Sequence, residues 1–327
     1  MAADARNLFT LVRKSIDVGT VQVHVRKPFR FLLGGDPALV AELRSLLLTG
    51  HDESVPPEAA ACLETIRSDA RNVTNPNEVR AVIFLGRRGD AANADLGSLS
   101  VFRVPIFALT VDGDASPSGP PAAPASGTWS EYVVPAIARE PLRGRFFPHL
   151  VESAHGVEIA VGRHLPALRD SVAAKLTRDA ANNALKVALA SAVVDHIPVV
   201  GIVLGAFASA GDMVAITGIQ VMLMLHIDAT YGRDPDVQRT WRLLPIIGGG
   251  FGWRTLAREL AGFVPVAGIA IKGAIAYAGT IVVGEGVTFF DEQGHHMTKS
   301  QAAALYEQAK SDALRFARDL LAKLRRQ

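Results

Sequence analysis

The chain has 327 residues, 49% of them hydrophobic and 20% charged, with a net charge of +2 and a single cysteine, Cys62. This length predicts two domains, and charge below the usual ~25% leans toward membrane contact, as does a mean hydropathy of +0.22. The composition excludes wholesale disorder, an internal disulfide framework or a multi-cysteine zinc site, and so small a charge gives no footprint for nucleic acid.

In chain order, residues 1–24 read as a helical lead-in. They open with MAADARNLFTLVRKS, which has no apolar core and so predicts no secretory signal. Residues 25–150 alternate short apolar runs with polar stretches. Phe29–Leu33, Ala81–Leu85 and Val104–Val111 have the length and β-rich composition of buried strands. An amphipathic helix from Ala38 to Leu48 follows the first, closed by Gly50. Strands alternating with helices predict an α/β domain with a mostly parallel sheet. The stretch 112–129, DGDASPSGPPAAPASGTW, cannot bury a core and reads as a flexible insert.

A strand, a glycine turn and a helix is the place for a phosphate loop, but the turn here is Gly34-Gly35-Asp36-Pro37. It has no lysine for the β/γ oxygens, no hydroxyl for magnesium and no room, and Asp36 would repel a phosphate. Val104–Val111 runs into Asp112-Gly113-Asp114, where a GTPase would carry Asn-Lys-x-Asp to read guanine; only Asp114 of that set is present. Ala81–Leu85 leads into Gly-Arg-Arg-Gly-Asp, with no Asp-x-x-Gly loop before it. In strand order and spacing, residues 25–150 resemble the G domain of Era/TrmE-type GTPases. Gly34, Gly35 and Asp114 would be the remnant of its nucleotide site. The residues themselves read equally as an α/β domain kept for packing or protein contacts, since Gly-Gly-Asp after a strand is a common turn.

Residues 151–186 read as a charged helical connector and 187–295 as an all-α hydrophobic domain, rich in glycine. Val187–Gly211, Met213–Ile227, Leu243–Gly252 and Phe263–Val283 are its main apolar runs. The last, with only Lys272 charged, is long enough to cross a hydrocarbon core of ~30 Å. Residues 296–327 predict an amphipathic C-terminal helix with apolar positions at Ala303, Leu314, Ala317, Leu321 and Leu324.

Within this half, Asp195-His196-Ile197-Pro198, Gly211-Asp212-Met213, Thr217-Gly218-Ile219-Gln220, Tyr231-Gly232, Gly249–Arg258, Val264–Gly268 and Ala276–Thr280 occur in the order seen in the YcjF-related domain-of-unknown-function family 697. Residues 165–295 resemble that family. The resemblance implies a membrane-associated module, often fused behind an Era-like GTPase domain, with no established activity or ligand, and it suggests a neighbouring intact GTPase as protein partner.

The same residues carry a physical reading of their own. Thr217, Gln220, Met224, Asp228 and Tyr231 are spaced by 3, 4, 4 and 3, which puts them on one stripe of a helix. A polar stripe on an apolar helix avoids lipid. It faces either another helix as a hydrogen-bonded seam or a ligand or ion. Asp195 and Asp212 sit at expected segment ends, Asp195 as a helix cap before the break at Pro198, with a ligand- or partner-facing role or a proton relay as the functional alternative for such membrane-depth carboxylates. No His–Glu pairing has metal-ligand spacing, so neither metal nor cofactor is expected. Gly248–Gly252 lacks the β–turn–α context and distal acid of a dinucleotide site. Small-xxx-small spacings such as Gly201/Gly205 suit close helix packing and self-association. Trp241 and Trp253 beside Arg242, Arg254 and Arg258 suit a membrane interface or an ordinary amphipathic surface.

Basic flanks on both sides of the apolar block place both ends of the chain in the cytoplasm. Two helical hairpins, 187–227 and 243–284, meet that condition. The sequence thus predicts a non-enzymatic scaffold or adaptor at the cytoplasmic membrane, with a nucleotide-free pseudo-GTPase domain, contacting lipid and a protein partner. The alternatives are an atypical GTPase with altered loops and a ligand- or ion-binding helical membrane domain.

Overall fold

The computed structural model describes residues 16–51, 54–66, 73, 75–88, 96–114, 129–194, 201–238, 240 and 265–324. Two compact units divide the chain: Val23–Lys175, and Leu176–Gln327 with the first 22 residues. The boundary falls inside one continuous helix, Arg169–Val194.

The first unit is built on a five-stranded, all-parallel sheet: β1 (Arg30–Gly35), β2 (Leu63–Thr65), β3 (Val79–Arg87), β4 (Ile106–Val111) and β5 (Ser130–Val134), in the order β2-β1-β3-β4-β5. That order is one of the two common in doubly wound α/β proteins. The predicted strands and the parallel sheet are present; the sheet's two edges, β2 and β5, are additional to the expectation. Helices α2 (Pro37–Leu48), α3 (Pro57–Ala61), α4 (Arg139–Arg143), α5 (Phe146–Ser153) and α6 (Glu158–His164) accompany the strands, and the division between the units also falls inside α1 (Val18–Val25).

Central parallel strands are covered on both faces, so they read as unbroken apolar runs. Register alternation splits them cleanly. Leu32 lies beside Val82, which lies beside Ile106, and this face packs on Leu96 and Leu99. Leu33, Ile83 and Phe107 form the next row, and Phe107 and Tyr132 meet Phe146 of α5 edge-on at ring-centroid distances of 5.9 and 5.4 Å. Arg139 and Arg143 of α4 both bond the Asp170 carboxylate, tying that helix to the start of α7 (Arg169–Val194).

The helical unit contains the rest of α7 with α8 (Gly201–Thr230), α9 (Pro265–Gln293) and α10 (Lys299–Leu324). Helix α8 is one continuous rod through Gly211-Asp212-Met213, where the sequence suggested a segment end. Asp195, Pro198, Gly248–Gly252, Trp241 and Trp253, and most of the 112–129 insert lie outside the described residues.

Gly273–Gln293 is long and apolar enough to cross a membrane, with mean hydropathy 1.4, and Val214–Thr230 is a shorter apolar stretch. Even so, more than half of the first packs inside the protein. Ala278 and Val282 of α9 meet Ala302, Tyr306 and Ala309 of α10. The inward face of α10 thus begins at Ala302, one position before the Ala303 that its periodicity suggested.

Candidate functional site

In open α/β sheets ligands bind outside the carboxyl ends of the strands, where the strand order switches. Here that point lies between β1 and β3. The chain leaves β1 through Gly35, at φ +101°, and the Asp36 amide donates to the Leu85 carbonyl at 2.9 Å. Helix α2 begins at Pro37. One carboxylate oxygen of Asp36 accepts from the Ala38 and Leu39 amides at 2.8 and 3.2 Å. Its other oxygen faces Arg87 Nε at 3.5 Å.

The consequence is chemical. The first amides of a helix are what a phosphate loop offers to an anion. In this chain a side-chain carboxylate already takes two of them, and the turn is too short to wrap a phosphate. The next strand ends are likewise paired. Arg88 meets Asp112 at 3.1 Å, and the Asp112 side chain accepts from the Asp114 amide at 3.3 Å. Gly34, Gly35 and Asp114, the suspected nucleotide remnant, thus occupy one end of the sheet, in the company of the Asp36 and Asp112 carboxylates.

The Leu39 and Ala38 amides, with Arg87, hold the Asp36 carboxyl below its usual value near 3.8. A group with a depressed folded pKa stabilises the protein above its unfolded pKa, and that contribution disappears as pH falls through the folded value. Asp36→Ala is therefore expected to lower Tm at pH 7 and to narrow its gap from wild type between pH 4 and pH 2. Asn, itself a good cap, should restore most of the loss at pH 7. Thermal melts across that pH range measure this; a constant gap would contradict it.

The stripe on α8 faces α9. Gln220 Nε2 donates to Thr280 Oγ1 at 3.4 Å, and the Thr280 hydroxyl donates to the Ala276 carbonyl at 2.8 Å. Asp228 is 2% exposed, with Asp291 beside it. Arg233 reaches Asp291 Oδ1 at 2.7 Å and lies 5.7 Å over the Phe290 ring. Tyr231 donates to Glu292 at 2.9 Å. Gln220, Asp228 and Tyr231 are thus brought together on one seam, with Thr217 half-buried along it. Asp212 lies within α8, well up the helix from them, and Asp195 lies outside the described residues.

Arg233, Thr280, Asp291 and Glu292 complete the seam and were not singled out from the sequence. They lie 60 or so residues from their partners or beyond the stripe's end, so no local spacing announces them. Chemically the seam is a polar lock, buried at Gln220, Thr280 and Asp228 and exposed at Tyr231 and Glu292, in which the Gln220–Thr280 bond compensates a desolvation that would otherwise be costly. Among the described residues no three His, Cys, Asp or Glu side chains converge to hold a metal.

No family model, curated protein or solved structure matches the chain.

Proposed function

We propose that this protein is a non-enzymatic, membrane-associated scaffold or adaptor, a relative of the YcjF-related family whose α/β unit is a G-like domain that holds no nucleotide. The single observation that carries the reading is the Asp36 carboxylate on the first amides of α2, where a bound nucleotide would need its phosphate. The all-parallel strand order supports the G-like ancestry, with the turn after β1 and the segment after β4 in the corresponding places. The apolar stretch Gly273–Gln293 supports residence at a bilayer. On this reading the helical unit is held by lipid at the cytoplasmic membrane, both chain ends face the cytoplasm, and the α/β unit recruits a protein, such as an intact GTPase or a second copy.

Two measurements test it on the full chain. After alkaline carbonate washing of membranes the protein should remain in the pellet; release to the supernatant would remove the membrane assignment. Titration calorimetry with GTP or ATP and magnesium should give no binding heat. Saturable heat that Asp114→Ala abolishes would replace the scaffold by an atypical GTPase.

A further inference from the structure

The opposite end of the sheet has the reverse electrostatic character. At the amino ends of β1 and β2 lies a cleft of about 500 Å³, within the size range of small-molecule sites. Val25, Pro28, Phe29 and Ala61 form apolar wall. Its charged lining is four cations, Arg26, Lys27, Arg30 and Arg163, against two carboxylates, Glu58 and Glu78. Arg30 is engaged by Glu78 at 3.1 Å and by Glu64 at 3.2 Å. Lys27 donates to the Gly156 carbonyl at 3.0 Å. Even with Glu64 counted, positive charge exceeds negative at the cleft.

We propose that this cleft binds a small organic anion, a phosphate monoester or carboxylate attached to an apolar body. The apolar wall takes the body, and Arg26 and Arg163, both in the lining, supply positive charge for the anion. An excess of positive over negative charge in a concave surface raises the local concentration of anions. His164 lines the same cleft, its ring 6.2 Å from that of Phe29. Burial, then the neighbouring Arg163 and His51, hold its pKa below the usual 6.5 against the opposing pull of Glu58. A bound anion beside it favours the imidazolium, so binding and His164 protonation reinforce one another. Cys62, also in the lining, has its thiol pushed up to about 12 by burial, which keeps it protonated near neutral pH.

The test uses the full chain in detergent, labelled on histidine, with phenyl phosphate as probe and benzyl alcohol as its uncharged counterpart. His164 is assigned by the signal lost in His164→Gln. Phenyl phosphate should shift that signal saturably and raise its titration midpoint, whereas benzyl alcohol should do neither. Arg26→Gln combined with Arg163→Gln should weaken binding about tenfold or more, as loss of charge-assisted contacts does, with far-UV circular dichroism showing the fold retained. Vesicles containing phosphatidic acid carry the same headgroup chemistry: competition by them would assign the anion to lipid, and its absence to a solute. No saturable shift with phenyl phosphate, an equal shift with benzyl alcohol, or undiminished binding in the folded double variant would each overturn the proposal.

Discussion

Gly35→Ala is expected to destabilise the α/β unit by about 4 kcal/mol or more, a loss comparable with the whole stability of a small domain. Two costs combine. The residue sits at φ +101°, where an L side chain is strained. A Cβ there would also lie 1.9 Å from the Leu85 carbonyl oxygen and under 3 Å from two more backbone atoms of Leu85. Backbone cannot rotate away as a side-chain tip can. Relief would require β1 and β3 to part at the switch point of the sheet, where Asp36 also takes its bond from Leu85. The control is Gly113→Ala, with nothing within 4 Å of its Cβ, which should fall within about 0.5 kcal/mol of wild type. Hydrogen exchange of the β3 amides in both variants measures the difference, and equal protection would contradict it.

Gly284→Ala should cost more than alanine at Gly273 or Gly279 of the same helix, at about 2–3 kcal/mol. Its Cβ would stand 2.2 Å from Thr177 Oγ1 and 2.8 Å from Thr177 Cβ. Thr177 is 1% exposed and β-branched, so it has little freedom to turn aside. Gly273 faces the mobile ends of Leu185 and Leu189, and Gly279 meets only Gln220 at 3.9 Å, so alanine should be milder at the first and nearly free at the second. The Thr177 hydroxyl is buried without a hydrogen-bond partner, so Thr177→Ala removes no bond. In thermal melts of the detergent-solubilised chain, Thr177→Ala should recover much of the Gly284→Ala loss, as contacting residues couple by 0.5–3 kcal/mol. Simple additivity would place the close approach of α7 and α9 elsewhere.

The three central strands and α2 are legible because burial on both faces writes them as apolar runs. The edges are not. β2 is the tripeptide Leu-Glu-Thr, too short to carry a period, and in β5 only two of five residues are buried. The role of Asp36 was half legible: its charge argues against a phosphate, but its service as a cap depends on the chain turning into α2 at once. The polar stripe of α8 follows from helical spacing alone, whereas Thr280, Asp291 and Glu292 are fixed by how two distant helices settle against one another. The expected end at Gly211-Asp212 fails for an energetic reason. A glycine inside a helix costs only about 1 kcal/mol, less than the packing that continues α8 beyond it.

The pairings along that seam carry a further implication. Gln220 meets Thr280, Asp228 meets Asp291 and Tyr231 meets Glu292. Both numbers rise together, so α8 and α9 point the same way and are not limbs of a hairpin. Gly232 and Gly294, which follow the two helices, therefore emerge at one end of the pair, while Pro265 starts near the other. If the pair is embedded in a bilayer, the two exits share a side, and the chain between them makes a return journey. Two passages forward and one back make three, so both ends of the chain face the cytoplasm only with a fourth passage outside this pair.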